Sequence, residues 1–393
     1  MARASSVAVV SLALLALLLA PASVSAGCKR GRRPHVVGEE PPETHSSGWV
    51  PSTAYASVAD APASLDWGRV NGTSLLTPSW NQHIPIYCGS CWLHGTTSML
   101  QDRLKITKGG IGPDVMLARQ VVLNCGAFYN MGGGCDGGDV IDVLHYAREF
   151  GMPDESCQVY EAVDHTRYGK KATHCPASGI CRNCWPIDGK DVCWGVHTPI
   201  LYYVSEFGRV EEPGELAMLN ELARGPITCS LATPDDFDFG YHRGVYVDRY
   251  NASDVDHDVE VVGWGQEEDN EDGTPGLKYW IVRNSWGTYF GELGFFKLQR
   301  GVNALQIEAG DCWGAQLSWK DEQDVRSGAK VGTMWGIFTP DEAAKIIPEA
   351  HKHPHEKPEE LRAFADAVED AVLAELEHRE IEREARLRNV ADA

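Results

Sequence analysis

Tyr87-Cys88-Gly89-Ser90-Cys91-Trp92 is the stretch on which the reading of this chain turns. It places Cys91 at the first turn of a helix expected to run to about Lys105, with Met99 and Leu100 on its apolar side and Thr107-Lys108-Gly109-Gly110 as its stop. A helix N-terminus carries partial positive charge and so stabilises a thiolate, the nucleophilic form of cysteine. A thiolate nucleophile needs a base and a group that orients the base. Downstream, His257 lies in Asp256-His257-Asp258-Val259, followed by Gly263-Trp264-Gly265. Asn284 lies in Arg283-Asn284-Ser285-Trp286-Gly287. The competing reading of Cys91, a structural or disulfide cysteine, is weaker against so long a motif.

Cys-Gly-Ser-Cys-Trp with a distant His and Asn resembles the papain family of cysteine peptidases. In that family the His and Asn lie roughly 130–150 residues downstream of the nucleophile. Here both lie farther on, which predicts an insertion, and the cysteine-rich stretch from Cys175 to Cys193 supplies it. The resemblance implies an α+β, two-lobed fold: a helical left lobe, a β-rich right lobe and a cleft between them. It implies Cys91 as nucleophile, His257 as proton carrier and Asn284 as the residue that orients the imidazole. Trp286 would shield that hydrogen bond from water. The oxyanion hole would combine the Cys91 backbone N–H with the side chain of Gln82. Gly137 and Gly138 would offer backbone hydrogen bonds to the substrate.

The stretch between Gln82 and Cys91 narrows the resemblance. His83-Ile84-Pro85 lengthens it relative to most papain-like endopeptidases, and it is similar to the insertion of the cathepsin X (cathepsin Z) group. In that group the loop restricts the cleft and its His anchors the substrate's C-terminal carboxylate, which gives a carboxypeptidase. A cationic or donor group at a fixed distance beyond the scissile bond favours a free carboxylate and excludes a continuing chain. The resemblance assigns that role to His83, with Tyr87 assisting. Leu93-His94-Gly95 departs from the small residues usual near the helix start, and Phe290 stands where a Trp is usual.

Twelve cysteines in an exported chain read as disulfides. The resemblance implies Cys88–Cys135, the latter in Cys135-Asp136-Gly137-Gly138, and Cys125–Cys157, with Cys229–Cys312 as a third. Cys175, Cys181, Cys184 and Cys193 would form two more bridges in an order left open. Cys181-Arg182-Asn183-Cys184 also has zinc-site spacing, but an oxidising compartment favours disulfides, and no metal or other cofactor is expected. Cys28 is left over. By the same resemblance it would cap Cys91 through a disulfide in a zymogen.

Export itself is read from the N-terminus. Arg3 precedes an apolar run from Val7 to Ala20, and Val24-Ser25-Ala26 has the small residues of a cleavage site. The expected organisation is a signal peptide over 1–26, a short propeptide over 27–60, a peptidase domain over 61–312, and a charged, largely helical extension over 313–393. Asn71-Gly72-Thr73 and Asn251-Ala252-Ser253 are glycosylation sequons. Secretion or a lysosome is the implied destination. The formal net charge of −21 argues against nucleic acid or an anionic membrane as partner.

Helices are expected first, over Val115–Leu123 and Val140–Phe150 after the first. Strands follow at Ile227–Leu231, Val259–Val262, Tyr279–Val282 and Gly294–Leu298. In the extension, Thr339-Pro340-Asp341-Glu342 reads as a capping box that opens a short helix ended by Pro348. His351, His353 and His355 follow. Then comes an apolar stripe, Leu361, Phe364, Val368, Val372 and Leu376, which suits packing on the domain or self-association. The function these readings support is hydrolysis of peptides and proteins at free C-termini. A papain-like endopeptidase or dipeptidase is the alternative, or a weakly active homologue that acts as a binding protein.

Overall fold

The computed structural model describes residues 46, 48–168, 175–187, 190–210 and 213–346. The expected signal peptide, Cys28, the alternating histidines and the apolar stripe of the extension lie outside the described residues.

In chain order the elements are β1 (Leu65–Asp66), α1 (Cys91–Thr107), α2 (Arg119–Cys125), α3 (Val140–Glu149), α4 (Ala177–Ile180), β2 (Arg182–Ile187), β3 (Lys190–Gly195) and β4 (Tyr203–Arg209). There follow α5 (Glu215–Leu222), β5 (Ile227–Ala232), α6 (Asp235–Asp238), β6 (Val245–Tyr246), β7 (Val255–Gln266), β8 (Lys278–Arg283) and β9 (Phe295–Gln299). The last are β10 (Cys312–Ser318), α7 (Lys320–Ser327), β11 (Val331–Thr333), β12 (Gly336–Phe338) and α8 (Pro340–Ile346). The main sheet runs β4-β10-β5-β7-β8-β9-β6, with β1 added to β7. The arrangement is α+β, helices first and strands later.

Two apolar cores flank α1. One gathers Trp92, Leu100, Val121, Val143 and Leu144 from α1–α3 with Phe207 and Ala315 from β4 and β10. The other joins Leu231, Val259, Val261, Trp280, Val282 and Phe296 from the central strands. Because α1 is wedged between them, every residue from Cys91 to Leu104 is buried, not only one face. Its polar residues are therefore paired. Asp102 accepts from the Thr77 backbone N–H at 2.7 Å and its hydroxyl at 2.6 Å, and Arg103 meets Glu221 at 2.7 Å. Gly95 faces the sheet: a Cβ there would lie 3.2 Å from the Asp258 carbonyl on β7 and 3.3 Å from Thr228 on β5. The loss of helix propensity at Gly95, about 1 kcal/mol, accompanies a closer approach of helix to sheet.

The second helix begins at Arg119, not Val115, because the preceding backbone is used elsewhere. Leu117 donates its N–H to the Gln101 side chain at 2.8 Å and Ala118 donates to the Pro153 carbonyl at 2.9 Å. The expected boundary after Cys312 cuts β10 behind its first residue. Trp313, Ala315 and Leu317 alternate inward along that strand, which pairs with β4 and β5. Beyond it, Glu322 on α7 receives Lys108 Nζ at 2.8 Å and the Tyr202 hydroxyl at 3.1 Å. The Ile337 N–H on β12 donates to the Thr198 carbonyl at 2.7 Å. The chain thus stays docked through Phe338. The capping box forms: Thr339 N–H to Glu342 at 2.8 Å and Glu342 N–H to the Thr339 hydroxyl at 3.3 Å.

Five disulfides link described residues: Cys88–Cys135, Cys125–Cys175, Cys157–Cys181, Cys184–Cys193 and Cys229–Cys312. The expected Cys125–Cys157 bridge is absent, and only Cys184–Cys193 closes within the insert, whose Cys175 and Cys181 bond to Cys125 and Cys157 instead. α4 packs on α2, with Asn124 donating to the Gly179 carbonyl at 2.9 Å, and this brings the insert's first two cysteines to the older pair. Cys184 and Cys193 face each other across the β2–β3 hairpin. Cys181 and Cys184 belong to different bridges, which removes the zinc reading of their spacing.

Candidate active site

Cys91 is the first residue of α1, behind Ser90 as its N-cap. It is buried and disulfide-bonded in this state. Cys28, its expected cap, lies outside the described residues. His257 lies on β7 opposite Leu231 of β5 and is 1% exposed. Its Nε2 is 2.8 Å from Asn284 Oδ1. The same Oδ1 accepts the Ser285 backbone N–H at 2.8 Å, which identifies it as the acceptor, so Nε2 carries the hydrogen. Nδ1 is buried and has no hydrogen-bond partner among the described residues. Trp286 lies against the imidazole, with ring centroids 4.8 Å apart. Burial lowers His257 to about 4, against a smaller opposing contribution from Asn284. Without a thiolate counter-charge the ring is neutral.

Gln82 is fully buried. Its backbone N–H donates to the Ser285 carbonyl at 2.8 Å, and its Oε1 accepts the Ser285 hydroxyl at 2.6 Å. This fixes the amide so that Nε2 points toward the helix start, where it donates to the Cys88 carbonyl at 3.1 Å. Its second Nε2 hydrogen is given no acceptor by this bond. From below, the Tyr160 hydroxyl donates to the Gln82 carbonyl at 2.7 Å and lies 2.9 Å from the Ser90 hydroxyl.

Arg283 holds Asn284 at the end of β8. Its guanidinium pairs with Asp102 on α1 and, at 2.9 Å, with Glu260 on β7, and Nη1 donates to the Thr77 carbonyl at 3.0 Å. All three ionisable groups are buried. One cation faces two carboxyls, and burial pushes Glu260 well above the carboxylate range.

His83 follows Gln82, half-buried, and stacks on Tyr87 with centroids 4.8 Å apart and planes 7° from parallel. Burial lowers its pKa. His83, Asp238, Tyr241, His242, Trp286 and Phe290 help to line a cavity of about 370 Å³. Gly137 has φ +114, and a Cβ on Gly138 would lie 2.5 Å from the Trp92 ring. Packing within the protein thus requires glycine at Gly138, beside any approach of substrate. Asn71 and Asn251 are exposed.

Sequence reading brought Cys91, His257, Asn284, Trp286 and Gln82 forward, and the structure groups the last four around the start of α1. It missed Ser285, Tyr160 and the Arg283–Asp102–Glu260 cluster. Ser285 and Arg283 sit inside the quoted motif and could have been found. Tyr160 carries no local signal. Among the described residues, no cluster of three or more His, Cys, Asp or Glu is placed to hold a metal, and no helix is long and apolar enough to cross a membrane.

The pattern of the papain family cysteine proteases matches residues 61–314, and the chain belongs to that family. Cathepsin Z of Onchocerca volvulus is 39% identical over 240 residues, covering 61% of this chain and 70% of that protein. Cathepsin B-like cysteine proteinase 3 of Caenorhabditis elegans is 31% identical over 232 residues, covering 56% and 57%. Cathepsin B-like CP1 of Giardia intestinalis is 31% identical, covering 56% and 64%. Of the last two, the chain thus spans less than two thirds. Among solved structures, digestive procathepsin L 3 of Tenebrio molitor superposes with a TM-score of 0.51 at 24% identity, covering 68% of this chain and 73% of that one. The proform of the ragweed pollen protease Amb a 11 gives 0.51 at 24%, covering 66% and 67%. The protein is a papain-fold cysteine peptidase, similar to cathepsin Z, and its disulfides suit the secretory pathway.

Proposed function

We propose that this peptidase is a carboxypeptidase that works in a lysosome or outside the cell, releasing residues from peptides and proteins with free C-termini. Freed of its disulfide, Cys91 loses its proton to His257 Nδ1, and the two charges stabilise each other at the helix start. The thiolate attacks the last peptide carbonyl. The oxyanion is held by the Cys91 backbone N–H and Gln82 Nε2. The imidazolium then protonates the leaving amine and a thioester remains. Water, deprotonated by the now neutral His257, attacks the thioester and restores the thiol. Cys28 would hold Cys91 silent until proteolysis or reduction releases it.

One observation carries the exopeptidase reading: His83 shares a cavity with Trp286. The leaving amine takes its proton from His257, which Trp286 covers, so that cavity lies on the leaving-group side. A histidine there, stacked on Tyr87, meets the terminal carboxylate of the departing residue. The test compares peptides with free and amidated C-termini. Loss of cleavage on amidation supports the reading, and equal cleavage overturns it in favour of an endopeptidase. Failure of the reduced, processed chain to react with an epoxide inhibitor that needs a thiolate would overturn the enzyme reading itself.

A further inference from the structure

The same cavity has a second wall that neither the motif nor the mechanism uses. Asp238 ends α6 and is the one acidic residue among the described residues that line the cavity. Its Oδ1 is buried and has no hydrogen-bond partner among the described residues. Tyr241, Trp286 and Phe290 supply aromatic faces around it. Thr233 hydrogen-bonds the carboxyl, so Oδ1 alone is left without a donor. A carboxylate in a cavity wall with one oxygen unpartnered, beside aromatic rings, is suited to a long aliphatic stem ending in a cation.

We propose that Asp238 makes the leaving-group pocket selective for a basic C-terminal residue, Lys or Arg, once its carboxyl is ionised. This rests on the carboxypeptidase reading for the statement that the pocket receives the last residue. Burial, and then the negative charge of Asp256 on the strand preceding His257, push Asp238 up to about 7. Asp235 on its own helix adds to that, and Thr233 opposes it. Also lining the cavity are His83, whose pKa burial lowers, and His242, whose Nδ1 is 3.1 Å from the Gly240 carbonyl. Tyr87, stacked on His83, also feels Asp256, so the two walls are electrostatically in touch. At acidic pH Asp238 is neutral and the pocket takes uncharged side chains. As pH rises through about 7, the pocket gains a negative charge that attracts a cationic side chain. It also repels the substrate's terminal carboxylate, but every free-acid substrate shares that cost.

The experiment measures kcat/KM for two peptides that differ only in a C-terminal Lys or Gln, from pH 5 to 8, with the thiol-activated full chain. The ratio removes effects common to both substrates, including ionisation of the thiol. The expected Lys:Gln ratio is near one at pH 5 and climbs to about tenfold by pH 8. In Asp238→Asn it stays flat, and in Asp238→Glu the rise returns. A ratio independent of pH in the unsubstituted protein, or an unchanged rise in Asp238→Asn, overturns the proposal. Amidated versions of both peptides separate it from the underlying reading. If they are cleaved as fast as the free acids, the carboxypeptidase reading falls, while the Lys:Gln ratio still reports on the residue after the scissile bond.

Discussion

The Tyr160 hydroxyl donates to the Gln82 backbone carbonyl at 2.7 Å. Its one hydrogen is thereby used, so the Ser90 hydroxyl, 2.9 Å away, donates to it in turn. In the mechanism proposed above, Gln82 supplies one half of the oxyanion hole, and Ser90 is the N-cap residue of the helix whose first N–H supplies the other. Tyr160 thus ties the two halves together, although it lies far from both in sequence.

Loss of that tie should cost rate more than binding. Replacing Tyr160 with Phe keeps the ring and removes the hydroxyl. The expected result is a kcat lower by about tenfold to 100-fold with KM nearly unchanged, because a small misplacement of the donors weakens only the transition state. Gln82→Ala removes a donor outright and should lower kcat by about 10² to 10³. If Tyr160→Phe raised KM and left kcat intact, Tyr160 would be acting on substrate binding or on packing instead.

The ionisation of His257 should depend on the state of Cys91. In the disulfide form burial holds the ring at about 4, so it is neutral above that pH and its imidazolium is lost as pH rises through that value. A free thiolate supplies the opposite charge and raises the imidazole pKa. NMR of the histidine ring should show His257 neutral at pH 6 before reduction and protonated after it. Alkylation of Cys91 by iodoacetamide should then persist well below the ordinary thiol pKa of about 8.5. A His257 signal that does not change on reduction would contradict the ion pair.

How much of this was legible follows from how local each feature is. Cys91, His257 and Asn284, the proposed nucleophile, proton carrier and orienting residue, sit in short motifs whose chemistry would constrain several neighbouring residues at once. Alternation along Trp313, Ala315 and Leu317 was equally local, and would have extended the domain past Cys312 had it been weighed against the cysteine count. The Cys125–Cys175 and Cys157–Cys181 pairing was not legible, since it depends on where α4 packs against α2. Asp102 and Glu260 look like surface charges in sequence. Only the wedge position of α1 buries them, and only Arg283 explains why they are tolerated.

That cluster predicts a large effect on stability. Arg283 is the sole cation in salt-bridge contact with Asp102 and Glu260 among the described residues. Replacing Arg283 with Met leaves both buried carboxyls without it. Breaking a buried pair by removing one partner costs about 3–5 kcal/mol. Urea unfolding should show a loss of that order. Arg283→Lys should recover little of it, because one ammonium cannot reach two carboxyls and the Thr77 carbonyl in the guanidinium's geometry. A loss below about 1 kcal/mol for Arg283→Met, the range of an exposed pair, would mean that the cluster is hydrated.

His83 makes the last prediction, and its sign follows from burial. A lowered pKa means that the imidazolium is present only at acidic pH and is lost as pH rises through a value below the usual one. The cation attracts the substrate's terminal carboxylate more strongly than the neutral ring does. Discrimination between free-acid and amidated peptides should therefore be greatest at low pH and decline toward neutrality. His83→Ala should lower kcat/KM for free-acid peptides by about tenfold or more at pH 5, leave amidated peptides nearly as before, and abolish the pH dependence of the ratio. His83→Gln retains a donor without a titrating charge and should keep part of the preference, with no slope against pH. If His83→Ala lowered both substrates equally, the histidine would be shaping the loop through its stack on Tyr87 and not meeting the carboxylate.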